Sequence, residues 1–262
     1  MGRILHLSDI HFGSENRAAL DKVFELAVRE PFELVAITGD TTQYGAVEEF
    51  AAAEAWINAL PGPLLITPGN HDTPWAGLVS RVFSPFGRYQ RAFGDPWDTA
   101  FDDDEMTART FNTARGVQIR LNWSKGAARQ SHVRRIAGAF AAAPADRLRV
   151  VLCHHPLTEM TGGPMTARVR GGTRAAAILA EAGTDIILTG HIHSPFVFPL
   201  PLGERRTLAI GASTLSTRER GVPPGFNIIC HEPGCIRVTA HGWTGSHFET
   251  LRTWSVPRRA RG

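Results

Sequence analysis

Between residues 4 and 67 the chain alternates short, almost wholly apolar runs with longer helix-periodic ones, and this alternation restricts its fold more than any other feature. Ile4-Leu5-His6-Leu7, Leu34-Val35-Ala36-Ile37 and Leu64-Leu65-Ile66-Thr67 read as strands. Ala18–Arg29 and Val47–Leu60 read as helices, closed by Pro31 and by Pro61-Gly62-Pro63. A strand apolar at nearly every position is buried on both faces. With helical crossovers between such strands, the pattern predicts a buried sheet containing parallel strands.

Strand patterns return at Arg109–Asn112 and Val117–Leu121, around a turn at Ala114-Arg115-Gly116. Ala127–Ala143 is helical, Arg149–Cys153 a strand, Arg174–Ala182 a helix and Asp185–Leu188 a strand. Thr207–Gly211, Phe226–Cys230 and Cys235–Thr239 follow as strands, with a hairpin turn at Glu232-Pro233-Gly234. Residues 74–108 are rich in proline and glycine and read as loops, with a short helix before Phe86. Their aromatic residues Trp75, Phe86 and Trp97 either wall a pocket or anchor the loop, and anchoring is the expected role. The expected class is α/β, with two facing mixed sheets and helices outside. A single domain is expected over residues 1–250, with a frayed basic tail over 251–262 carrying Arg252, Arg258, Arg259 and Arg261.

The net charge of +3 is mild and spread along the chain. It suits an anionic small-molecule substrate and does not call for nucleic acid. Asp102-Asp103-Asp104-Glu105 reads as a solvated turn, since four adjacent carboxylates repel one another too strongly to face one ion. Cys153, Cys230 and Cys235 provide no disulfide framework and suit a reducing compartment. The N-terminus lacks a signal-peptide pattern and no apolar run spans a bilayer, so the expectation is a cytoplasmic protein without membrane contact. Homo-oligomerisation stays open.

Side chains able to hold a metal come directly after the predicted strands. Asp9 and His11 follow the first, Asp40 the second, and Asn70, His71 and Asp72 the third. His154 and His155 follow Arg149–Cys153, and His191 and His193 follow Asp185–Leu188. In an α/β sheet, ligands bind beyond the carboxyl ends of the strands, so five strand ends deliver donors to one mouth. Carboxylate, amide-oxygen and imidazole donors suit Mn, Fe or Zn better than Cu(I) or Ca. Each fragment alone is weak, and only the ordered set predicts a metal site.

Asp9-Ile10-His11, Gly39-Asp40, Gly69-Asn70-His71-Asp72, Leu152-Cys153-His154-His155 and Gly190-His191-Ile192-His193 together resemble the calcineurin-like metallophosphoesterase superfamily. Gly39-Asp40-Thr41-Thr42-Gln43-Tyr44-Gly45 with Glu48-Glu49-Phe50 is similar to its bacterial phosphodiesterase branch, which includes cyclic-nucleotide and glycerophosphodiester hydrolases. The resemblance implies a four-layer α/β/β/α sandwich and two metal ions. Asp9, His11, Asp40 and His193 would hold one ion; Asp40, Asn70, His154 and His191 would hold the other, with Asp40 shared. His154 rather than His155 matches the family ligand. The implied reaction is in-line attack on a small-molecule phosphodiester by a hydroxide bridging the metals, with His71 stabilising the transition state or protonating the leaving oxygen. Asp72 either orients the ring of His71 or serves as a turn carboxylate. A phosphomonoesterase, a nucleotide-lipid pyrophosphatase and a non-catalytic scaffold are the alternatives on the same fold.

Overall fold

The computed structural model describes residues 2–117, 124–159, 169–200 and 207–258. In chain order the elements are β1 (Gly2–Leu7), α1 (Arg17–Arg29), β2 (Leu34–Thr38), α2 (Val47–Asn58), β3 (Leu64–Thr67), α3 (Leu78–Phe83) and α4 (Gly87–Phe93). Next come β4 (Ala100–Asp102), β5 (Met106–Thr110), α5 (Gln130–Ala142), β6 (Leu148–Leu152), α6 (Gly172–Glu181) and β7 (Ile186–Thr189). The chain ends with β8 (Phe196–Pro199), β9 (Leu208–Gly211), β10 (Gly225–Glu232), β11 (Cys235–Trp243) and β12 (Phe248–Pro257).

The strands form two six-stranded mixed sheets, ordered β12-β11-β10-β1-β2-β3 and β4-β5-β6-β7-β9-β8. In the first sheet β1, β2 and β3 run parallel, and β10 to β12 continue it antiparallel. In the second, β5, β6, β7 and β9 run parallel between antiparallel edges β4 and β8.

Alternate residues of the central strands explain the layering, because successive side chains leave opposite faces of a sheet. Leu5, Leu7, Val35 and Ile37 pack with Leu20 and Val23 of α1 and Phe50 and Ile57 of α2. Ile4, Leu34 and Ala36 point the other way, against Val150, Leu152, Ile186 and Leu188 of the second sheet. Val151 and Ile187 leave that sheet's far face toward Val133 and Phe140 of α5 and Leu179 of α6. Three apolar layers therefore join four structural ones, the α/β/β/α sandwich expected.

The departures fall where patterning is weakest. Residues 74–108 hold α3, α4 and β4, each of seven residues or fewer and too short to display a period. Phe86 and Trp97 do anchor this segment, meeting edge to face with centroids 5.3 Å apart. Residues 251–257 are not a frayed tail: they belong to β12, which pairs with β11 from Cys235↔Pro257 to Trp243↔Phe248. As an edge strand with most residues exposed, β12 carries apolar alternation only at Trp254 and Val256, too little to mark a strand. Of the strand expected at Val117–Leu121, residues 118–121 lie outside the described residues, as do Arg259 and Arg261.

Candidate metal centre

The carboxyl ends of β1, β2 and β3 and of β6 and β7 lead into the five motif turns. Backbone bonds stitch these turns together within each sheet: Asp9 N–H donates to Gly39 O (3.0 Å) and Gly190 N–H to His154 O (3.0 Å). Side chains join them between sheets, with His154 Nδ1 2.8 Å from Thr38 O and His191 N–H 2.9 Å from Asp9 Oδ2. Gly69 and Gly190 permit the close approach, since a Cβ at either would collide with Asp40 Oδ1 or with Ser8 Oγ and Asp9 Oδ2, respectively.

Among the described residues, the non-glycine positions with positive φ are Asp9 (51°), His11 (51°), Asp40 (51°), His191 (66°) and His193 (60°). A left-handed conformation costs an L-residue about 1 kcal/mol or more. All five are sequence-predicted metal ligands, so the backbone strain is confined to the turns that aim these side chains.

All seven predicted ligands, Asp9, His11, Asp40, Asn70, His154, His191 and His193, come together and are at most 8% exposed. Each carboxylate commits one oxygen to protein donors and turns the other inward. Asp9 Oδ2 accepts from Ser8 Oγ (2.6 Å) and His191 N–H (2.9 Å), while Oδ1 has no hydrogen-bond partner and lies 3.0 Å from His193 Nε2 and 3.8 Å from His11 Nε2. Asp40 Oδ1 accepts from His71 N–H (2.7 Å), while Oδ2 stands 3.2 Å from His154 Nε2 and 3.9 Å from His11 Nε2. Asp40 thus sits between the Asp9, His11 and His193 group and the His154 group, with Asn70 Oδ1 3.2 Å from His154 Nε2.

Three of the four predicted imidazole ligands follow one rule. Nδ1 of His11, His154 and His193 faces the carbonyl of Thr42 (3.3 Å), Thr38 (2.8 Å) and Arg218 (2.8 Å), respectively. A carbonyl only accepts, so Nδ1 carries a proton and Nε2 is the ring atom left to face the carboxylates. A lone pair facing a carboxylate oxygen at 3.0–3.2 Å is repulsive unless a proton or a cation lies between them. Ligands of one transition-metal ion held at about 2.1 Å stand about 3.0 to 3.4 Å apart, so the donor spacing and the orphaned Asp9 Oδ1 and His11 Nε2 fit a metal ion. Carbonyl-anchored Nδ1 groups are also the usual support for metal-ligating histidines.

The same charges act on proton affinity. Burial opposes ionisation of Asp9 and Asp40, yet His193 beside the first and His154 beside the second hold both carboxyls below their ordinary range. Burial likewise opposes a charge on His154, but Asp40, reinforced by Asp9, raises it to about 9. Burial dominates at His11 and His191 and lowers each to about 3. Two buried anions beside mostly neutral imidazoles form a nest for positive charge.

The remaining predicted residues separate. His155 lies near His154 and His191, but both of its nitrogens are engaged, Nδ1 with Thr113 Oγ1 (2.9 Å) and Nε2 with Ser124 O (2.7 Å). Asp72 does not orient His71. Its carboxylate accepts from Thr41 Oγ1 (2.6 Å), Thr42 Oγ1 and N–H (2.9 Å each), Gly69 N–H (2.8 Å) and Thr41 N–H (3.2 Å). It ties the turn after β2 to the turn after β3, while the ring of His71 is oriented by the carbonyl of Gln43, 2.7 Å from Nδ1. Arg218 was not foreseen. Its Nη1 lies 3.1 Å from His71 Nε2 and 3.3 Å from Gln43 Oε1. It stands in the polar run Thr217-Arg218-Glu219-Arg220 between strands, with no flanking pattern to mark it.

Residues 2–195 match the calcineurin-like phosphoesterase domain. The chain belongs to the calcineurin-like phosphoesterase family. This phosphoesterase is 36% identical over 243 residues to the glycerophosphodiester phosphodiesterase GpdQ of Enterobacter lignolyticus (strain SCF1), covering 87% of this chain and 80% of GpdQ. Family and homologue together support a metal-dependent phosphoric ester hydrolase. Solved structures share the fold at low identity. Purple acid phosphatase PPD1 from yellow lupin superposes with TM-score 0.70 at 11% identity over 98% of this chain, which spans about half (54%) of the lupin protein. GAP50, the anchor in the inner membrane complex of Plasmodium, superposes with TM-score 0.63 at 11% identity, covering 99% of this chain and 90% of its own. Among the described residues, no helix of the phosphoesterase is long and apolar enough to cross a membrane.

Proposed function

We propose that the protein is a phosphodiesterase with a dinuclear centre of Mn, Fe or Zn, acting on a small-molecule phosphodiester. The observation that carries this reading is Asp40 Oδ2, turned between His11 Nε2 on one side and His154 Nε2 on the other. Asp9, His11, Asp40 and His193 hold one ion; Asp40, Asn70, His154 and His191 hold the second. When bound, such a pair supplies charge neutralisation at phosphorus and a water ionised near neutral pH. The similarity to GpdQ favours a diester over a monoester. The free cysteines fit a cytoplasmic setting.

The chain's own residues set the rest. His71 donates Nδ1–H to Gln43 O, so only Nε2 can exchange a proton with a substrate oxygen. That nitrogen meets Arg218 here, and an entering phosphate anion competes for the same guanidinium. His71, once it has taken up a proton at the Nε2 that Arg218 vacates, would donate it to the leaving oxygen while Arg218 would hold a non-bridging one. His71→Ala tests the assignment: the variant keeps its metal and loses rate by about 10²-fold or more. Wild-type turnover of bis(p-nitrophenyl) phosphate by metal-loaded His71→Ala would refute the role.

A further inference from the structure

A cavity of about 430 Å³ is lined by Asn70 and His71 together with Gln43, Tyr44, Thr73 and Trp75. It therefore runs from the candidate centre to a pair of aromatic residues on different turns, Tyr44 after β2 and Trp75 after β3. The two rings stack with centroids 5.5 Å apart and planes 19° from parallel. They remain 49% and 65% exposed. The pair differs from Phe86 and Trp97, which pack inward and anchor their loop.

The surroundings hold the pair in place. Trp75 N–H donates to Tyr44 O (2.9 Å), and Tyr44 N–H donates to Glu49 Oε2 (2.7 Å). Arg88 Nη1 donates to Gly45 O (2.6 Å), and Arg81 Nη1 donates to Pro74 O (3.2 Å). Gly45 has φ +63°, and a Cβ there would meet Thr73 O at 2.7 Å, so the two turns touch backbone to backbone. Large aromatic surface left open at the mouth of a polar site, on an ordered backbone, is the arrangement that receives a flat apolar group. A glycerol moiety presents hydroxyls and gains little there; a planar ring gains stacking.

We propose that Tyr44 and Trp75 form a shelf for a planar ring on one alcohol of the diester, and so select ring-bearing diesters over glyceryl ones. The shelf rests on the phosphodiesterase reading above for the reaction, but not for the binding. Phosphate at the centre and ring on the shelf define one ligand spanning one cavity, with the scissile bond at the Asn70 and His71 end.

The test compares phenyl methyl phosphate with glyceryl methyl phosphate on metal-loaded wild type, Tyr44→Ala, Trp75→Ala and Trp75→Phe. Differences in leaving-group chemistry cancel when each variant is referred to wild type. The Ala variants raise KM for the phenyl ester about tenfold, as expected for one lost ring contact. They leave the glyceryl ester within about twofold, and Trp75→Phe retains most of the phenyl preference. In parallel, tryptophan emission is followed during titration with phenylphosphonate, which is not hydrolysed. Wild type responds at lower concentration than with methylphosphonate, and Tyr44→Ala, which keeps Trp75 as the reporter, loses most of that difference. Equal losses on both diesters, a phenyl preference that survives Trp75→Ala, or an emission difference unchanged in Tyr44→Ala, overturns the shelf. If wild type cleaves neither diester, the phosphodiesterase reading falls alone, and the phosphonate titration still decides for or against the shelf.

Discussion

Arg218 reaches His71 with Nη1 3.1 Å from Nε2, and its own carbonyl oxygen lies 2.8 Å from Nδ1 of His193. One residue therefore supports a predicted metal ligand through its backbone and meets the predicted proton-handling histidine through its side chain. The two functions separate on substitution. Arg218→Ala keeps the carbonyl, so metal content stays at the wild-type level while kcat/KM for a diester falls by about tenfold to a hundredfold. Arg218→Lys recovers only part of the loss, because an ammonium lacks the planar fork. Metal analysis beside steady-state kinetics checks this, and unchanged kinetics in Arg218→Ala would remove the side chain from the site.

Asp72 matters for stability through the two turns it joins. Its buried carboxylate accepts bonds from Thr41, Thr42 and Gly69. Asp72→Ala strands three backbone donors and two hydroxyls in the interior, and costs about 3 kcal/mol or more. A urea midpoint lowered accordingly bears this out; a midpoint within error of wild type contradicts it.

The fold was legible where burial imposes a pattern. β1, β2, β3, β6 and β7 are apolar on both faces, so their runs stand out and the residues after each can be placed at a strand end. Ten candidate side chains were legible for the same reason, and the family resemblance narrowed them to the seven expected ligands. Arg218 was not, because a guanidinium that reaches the site across 147 positions from His71 leaves no local spacing to read. The role of Asp72 was legible only as a pair of alternatives, since sequence cannot say that Gln43 O has already taken His71 Nδ1. β12 was hidden by its exposure, and α3 and α4 by their brevity.

His6 gives the metal-free protein a definite acid response. Its ring is buried in β1, with Nε2 3.0 Å from Thr38 Oγ1 and Nδ1 3.2 Å from Asn227 Nδ2. Asn227 Nδ2 also donates to Gly211 O (2.9 Å), so it faces His6 as a donor and Nδ1 must accept. Burial outweighs the attraction of Asp9 and lowers His6 from 6.5 to about 3. Between these values the unfolded chain carries a proton that the folded chain refuses. Stability, complete above 6.5, is therefore lost as pH falls toward about 3. The loss is about 1.4 kcal/mol per pH unit for this one group. His6→Gln should reduce the slope of stability against pH by about one proton over that window. Equal slopes for the two proteins, measured by urea unfolding, would contradict it.

The most direct test of the two-ion account is elemental analysis of the protein and of Asp40→Ala after loading with Mn and removal of unbound metal. Two ions per chain in wild type, with both sites weakened together in Asp40→Ala, is the predicted result. A wild-type protein that retains one ion or none, or an Asp40→Ala variant that still retains two, would contradict it.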